Sequence, residues 1–177
     1  MRRRLFFWEA AGAVFTAAAG TALHFLYDWS GGASLAAAFS AVNESTWEHM
    51  KLLFFPLFLF TAVQAVCVGR GYPNFLAVRG LSALVGTALI PVLFYTYTGV
   101  LGYHTLWGDI GVFLAAVLGT FLLDGRLLRR GRFRQPWQQA AGLLVLWALA
   151  ILFVWCTFHP PRLALWRDPV TGGFGIV

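Results

Sequence analysis

Five long apolar stretches, separated by short polar breaks, set the pattern of this chain. Each approaches the roughly 20 residues that a helix needs to cross a bilayer. Arg2, Arg3 and Arg4 precede the first stretch, Leu5 to Tyr27. That basic start resembles a signal peptide. The stretch is too long for an h-region, carries Glu9 and lacks a convincing cleavage site, so it reads as a retained helix. Gly12, Thr16 and Gly20 fall four apart on it, the spacing of a close-packing face. A loop over 28–43 follows, and its later part is apolar but too short to span. It fits a short re-entrant segment at 33–42. The second helix is expected from about Ser45 to Val68, with Pro56 as a kink. A short basic loop with Arg70 and Arg79 leads to a third helix, about Phe75 to Thr98, with Pro91 as a second kink. A fourth is expected from about His104 to Leu123, with Gly111, Ala115 and Gly119 as another small-residue stripe. Asp124 to Arg134 reads as a charged loop. Pro136 opens a fifth helix that ends near Phe158, and Pro160 to Val177 reads as an irregular tail.

Composition supports this pattern. Of 177 residues, 59% are hydrophobic and 11% charged, against about 25% charged in soluble domains. The expected fold class is all-α: an integral membrane helical bundle of about five transmembrane helices, one transmembrane domain over 1–177. A nucleic-acid binder, a disulfide scaffold and a disordered tail are excluded. The net charge of +6 reads as a topology signal and as contact with anionic membrane lipid. It places the N-terminus, the Arg70 loop and the Arg126–Arg134 loop inside and the C-terminus outside, with Arg162 and Arg167 a smaller opposing term. Cys67 and Cys156 then lie at opposite faces and do not pair. Nothing in the chain sets its oligomeric state, and a homo-oligomer stays open.

That topology gathers all four histidines, His24, His49, His104 and His159, at the outer face. Glu44, Glu48, Asp28, Asp109 and Asp168 join them. Ionisable groups at membrane depth are costly and mark a site by default. Imidazoles and carboxylates are the usual zinc ligands, and a catalytic zinc keeps a water position open. On this reading the four histidines supply the metal ligands. Glu44 or Glu48 is the general base, Asp109 orients a histidine, and Ser45 shares a helix face with His49.

A plainer reading stands beside each of these. Ser45-x-x-Glu48 matches a capping box, Asn43 could cap one turn earlier, and Lys51 is placed to pair with Glu48. Capping leaves Glu44 and His49 without a role, which favours those two as site residues. His104 and Asp109 could line a cavity or form a structural hydrogen bond. His24 among Phe25, Leu26 and Tyr27 fits an interfacial residue. His159 fits an exposed helix end. Asp168 fits a turn former or a lid over the outer cavity. The Trp residues near helix ends need no ligand. Gly-x-Ser-x-Gly, His-Glu-x-x-His, Cys-x-x-Cys and Walker-type motifs are absent, against a serine hydrolase or nucleotide enzyme.

The stretches His24 to Gly31 and Val42 to Leu52, then His104-Thr105 with Asp109, and the ending Asp168 to Gly172 resemble an uncharacterised bacterial family of small multi-pass membrane proteins. The resemblance rests above all on Asn43-Glu44-Ser45-Thr46-Trp47-Glu48-His49. It implies a membrane protein of the bacterial cytoplasmic membrane and no assigned activity. A weaker likeness is to the membrane hydrolases that include alkaline ceramidases and adiponectin-type receptors, which hold zinc on three histidines. This chain departs from them in helix number and lacks their late His-x-x-x-His. The leading expectation is a metal-dependent hydrolase or transferase acting on a lipid or other apolar substrate. The alternatives are an ion or small-solute transporter or channel subunit, and a non-catalytic membrane subunit, with haem held on two histidines as one form of it.

Overall fold

The computed structural model describes residues 2–176, with six α-helices. They are α1 (Arg2–Trp29), α2 (Ser34–Phe39), α3 (Thr46–Cys67), α4 (Phe75–Leu101), α5 (Leu106–Arg130) and α6 (Pro136–Phe158). All but α2 are long and apolar enough to cross a membrane. Large apolar side chains such as Phe6, Leu59, Leu118, Leu144 and Ile151 stand exposed on their outer faces. Water would not tolerate so much apolar surface, whereas lipid would. Among the described residues the only β pairing is a single bridge, Arg167 to Phe174.

Four helices close a ring. α1 packs on α3 and α5, and α4 packs on α3 and α5, while α6 lies against the outer side of α4. Successive long helices run in opposite directions, so two ends of the bundle can be told apart. One end collects Arg4, Arg70, Arg126, Arg129 and Arg130; the other collects all four histidines. α3 is the most buried span, and its Phe54, Leu53 and Leu57 form the centre of the core with Phe121, Leu146 and Phe153.

The small-residue face on α1 packs as expected. A methyl group on Gly12 would strike the rings of Phe121 and Phe60, and one on Gly20 would lie 2.7 Å from the Phe113 ring. The stripe expected on α5 packs only at Gly119, where an added methyl group would lie 3.1 Å from Leu89 of α4. Gly111 has open space around it and Ala115 is exposed. Instead α5 buries Ala116, Val117, Thr120 and Phe121, with Thr120 against Gly86 of α4.

The closest approach of backbone to backbone at a glycine joins α4 to α6. A Cβ on Gly80 would sit 2.6 Å from the Gly142 carbonyl oxygen, and one on Gly142 would meet the backbone of Leu76 and Ala77. Backbone cannot rotate away as a side chain can. Gly142→Ala is therefore expected to cost roughly 1–3 kcal/mol, the usual range for overpacking. Gly99→Ala in the same region of open space on α4 is the control. Thermal unfolding in detergent should lower the midpoint of the first variant only.

Two boundaries differ from expectation. α5 does not stop at Leu123 but continues to Arg130. Leu128 is 2% exposed and packs with Leu5 and Val78, so the apolar face outlasts the charges beside it. Gly131, left-handed at φ 62°, ends the helix. Arg129 and Arg130 occupy the last turn, where the helix dipole favours cations. Arg79 is likewise not in a loop; it lies fully buried within α4.

The segment expected to re-enter forms the short α2, with Ala37 and Ala38 buried. It is held by Lys51, whose ammonium donates to the Ala37 carbonyl at 2.9 Å and to the Thr157 hydroxyl at 2.6 Å.

Candidate metal centre

The histidine-rich end is built around the start of α3. Asn43 accepts the Ser45 N–H at 2.9 Å, an Asx turn that sets the chain direction. Ser45 then caps the helix, its hydroxyl accepting the Glu48 N–H at 3.4 Å. The reciprocal half of a capping box is missing. The Glu48 carboxylate turns instead to Lys51 at 2.7 Å and to the Val42 N–H at 3.1 Å. Glu48 is 2% exposed and its charge is matched, so it is a brace for residues 42–45 and not free to act as a base.

That brace presents Glu44 to two imidazoles. Glu44 Oε2 lies 3.7 Å from His24 Nε2 on α1 and 3.5 Å from His49 Nε2 on α3. The two rings sit 5.3 Å apart, edge to face. One donor atom from each of the three residues falls within 4.8 Å of the others. A tetrahedral zinc with bonds of about 2.0–2.1 Å separates its donors by roughly 3.4 Å. The observed carboxylate–imidazole separations are within a few tenths of an ångström of that.

Tautomer supports the same direction. His49 Nδ1 is 2.9 Å from the Ser45 carbonyl oxygen, which can only accept. His49 therefore carries a proton on Nδ1, so that in the neutral ring it is the Nε2 lone pair that faces Glu44. A metal-bound histidine commonly donates its other N–H to a backbone carbonyl in this way. The His24 imidazole holds the Glu44 carboxyl below the usual carboxylate range; partial burial opposes this and His49 adds to it. All three side chains keep some exposure, from 26% for His49 to 48% for Glu44. The group is open on one side.

The other two histidines share this end of the bundle but not the group. His104 Nδ1 is 3.0 Å from Asp109 Oδ2, and the other oxygen of Asp109 accepts from the Tyr97 hydroxyl. Tyr97 also takes the Thr105 N–H at 3.2 Å. This His–Asp–Tyr set closes the α4–α5 turn. His159 stacks its ring on Trp155, 4.3 Å away, on the surface of α6. The cause is local: each ring has a partner on or beside its own helix.

The tail folds back over this end. Trp166 stacks on Trp47 at 4.5 Å, and the Asn43 amide donates to the Gly175 carbonyl at 2.7 Å. Asp168 organises the turn, accepting from the Val170 N–H at 3.0 Å and the Thr171 hydroxyl at 2.6 Å. Burial raises the Asp168 carboxyl, but those bonds and the Glu44 N–H outweigh it and hold it below the ordinary range. A lowered value in the fold means that this stabilisation is present above the unfolded carboxylate range. It is lost as pH falls through the lowered one. Asp168→Asn is expected to loosen the tail by about 1.5–3 kcal/mol, the worth of hydrogen bonds to a charged acceptor. Limited proteolysis within 160–176 reads it: faster cleavage for the variant at neutral pH, with the difference shrinking in acid.

A family model of unknown function, DUF6512, matches residues 4–176. The chain belongs to that family. The match spans α1 through the folded-back tail, and so covers the three-residue group and the tail across it. No curated protein and no solved structure matches the chain.

Sequence reasoning passed over one set of buried groups: Glu9, Gln64, Arg79 and Asp124, at the basic end. Placing Arg79 and Asp124 in loops hid it. The available signal was depth, because each lies within an apolar span and not in the breaks between them.

Proposed function

We propose that this protein is a membrane-embedded, zinc-dependent hydrolase or related transferase acting on a lipid. The convergence of His24, His49 and Glu44 carries the reading. Two imidazoles and one carboxylate are a known catalytic zinc set, with the fourth position left for water. Zinc at such a position lowers the pKa of bound water and polarises a carbonyl or phosphoryl oxygen. The role of Glu44 shifts from base to ligand, and Glu48 and Ser45 hold it in place. The carboxylate between the imidazoles favours a bare ion over a haem.

The substrate class follows from the surroundings. A groove of about 720 Å³ runs between α1, α3 and α6, lined by Phe15, Ala19, Leu23, Phe55 and Trp147. That volume is within the roughly 300–1,000 Å³ of ligand pockets, and its lining suits an acyl chain. Leu23 directly precedes His24, so a chain in the groove would bring its polar end toward the metal. The arginine-rich end belongs inside by the charge rule. The centre then faces the extracytoplasmic side of a bacterial cytoplasmic membrane.

The test is activity of purified protein in liposomes containing an acyl-ester lipid. Product release should be abolished by a strong chelator, restored by zinc, and lost in Glu44→Gln. Release unaffected by chelation, or none on any lipid class, overturns the reading. A transport reading draws on the ionisable groups at both ends of one ring. Cation flux abolished by His49→Ala, without lipid turnover, would favour it.

A further inference from the structure

The basic end of the ring holds a polar group that the metal centre does not use. Each of the four ring helices contributes one member: Glu9 from α1, Gln64 from α3, Arg79 from α4 and Asp124 from α5. Arg79 and Asp124 are 0% exposed, Gln64 1% and Glu9 7%. Arg79 Nη2 is 3.2 Å from Asp124 Oδ2 and 3.9 Å from Glu9 Oε1, and it donates to the Gln64 side-chain oxygen Oε1. The Gln64 amide donates to Glu9 Oε1 at 3.2 Å. Phe75 and Phe121 enclose the guanidinium, each ring centre 5.5 Å from it.

The charges do not balance. Arginine is always protonated, so this interior holds one fixed cation and two carboxylates. Among the described residues no other buried charge at this end offsets them. α6 has no charged residue, and Arg4 is exposed and bound to the Cys67 carbonyl. Arg129 is an exposed residue whose Nη1 reaches the same side of Gly125 as the Glu9 side chain but forms no ion pair with its carboxylate, and water screens it. Tyr72 and Cys67 pack in the neutral apolar layer alongside.

Hydrogen bonding points to what is missing. Glu9 Oε2 and Asp124 Oδ1 are buried without a hydrogen-bond partner, Asp124 Oδ2 faces only the Arg79 guanidinium at 3.2 Å, and the one hydroxyl beside Asp124 is that of Ser82, which bonds to nothing else. The two carboxyl groups face the same guanidinium nitrogen, Arg79 Nη2, and so occupy one site. Two carboxylates cannot bond each other, but a carboxylic acid and a carboxylate can. Like-charged carboxyls in one dry site do not both ionise, and an unpaired buried charge is strongly destabilising.

We propose that Glu9 and Asp124 share one proton at neutral pH, making the arginine-rich end of the bundle a proton-binding site. The proton supplies the absent donor, and with Arg79 it brings the cluster to zero net charge. The site is independent of zinc and of lipid turnover.

Infrared spectroscopy of the full-length protein in lipid tests this through the carbonyl stretch of a protonated carboxylic acid. The wild type should show that band at neutral pH and lose it on alkalinisation. Glu9→Gln and Asp124→Asn should each abolish it, since the remaining carboxyl then pairs with Arg79 as a carboxylate. Both amides keep the size of the acid. Absence of the band from the wild type at neutral pH overturns the proposal without any variant. Survival of the band in either folded variant overturns it as well.

Discussion

Lys51→Met is expected to destabilise the protein by about 3–5 kcal/mol, the usual cost of removing one partner from a buried ion pair. Lys51 is fully buried and uses its ammonium on three acceptors: Glu48 at 2.7 Å, Ala37 at 2.9 Å and Thr157 at 2.6 Å. Methionine fills a similar volume, so the loss is electrostatic more than steric. It leaves the Glu48 charge in a site that is 2% exposed, with only the Val42 N–H to answer it. The same change releases α2 from α3 and α6. Glu48→Gln with Lys51→Met should recover most of the loss, because no buried charge is then stranded. Equilibrium unfolding of the single and double variants in detergent checks this. A single variant as stable as wild type would show that the pair contributes nothing.

His49→Ala is expected to have the largest effect on metal affinity. Loss of a mere supporting partner of a ligand costs about 10–100-fold; loss of a ligand should exceed that. Two of three protein donors remain, and the Glu44 carboxylate loses one of the two imidazoles that position it. His159→Ala removes an equally histidine-like residue from the same end of the bundle, where the ring only stacks on Trp155. It should leave affinity unchanged. Competition with a calibrated zinc chelator measures both. Equal weakening in the two variants would mean that general loosening, not ligation, is being read.

The fold was largely legible because membrane depth and apolar length are one-dimensional signals. Five long apolar helices, the short segment that forms α2 and the crowding at Gly12 and Gly20 all follow from residue type and spacing alone. The end of α5 was not legible. Arg126, Arg129 and Arg130 look like a loop until Leu127 and Leu128 are seen packing against α1 and α4. The histidines were legible as neighbours by end, not by partner. Topology puts four rings at one end of the bundle, but rotation about each helix axis decides which rings converge. That rotation is set by packing contacts far from the site, such as Gly80 on Gly142. Glu44 drew notice only as a base because its place depends on the Asx turn at Asn43 and the Glu48–Lys51 brace. The Glu9–Asp124 pair depends on four helices meeting, which no local window contains.

The most direct measurement is the zinc content per chain of wild-type protein, purified in detergent without chelator and dialysed against metal-free buffer. The account predicts close to one zinc per chain in the wild type and in His159→Ala, and almost none in His24→Ala or His49→Ala. A folded wild type that retains no metal after zinc loading, or ligand variants that retain as much as wild type, would contradict it.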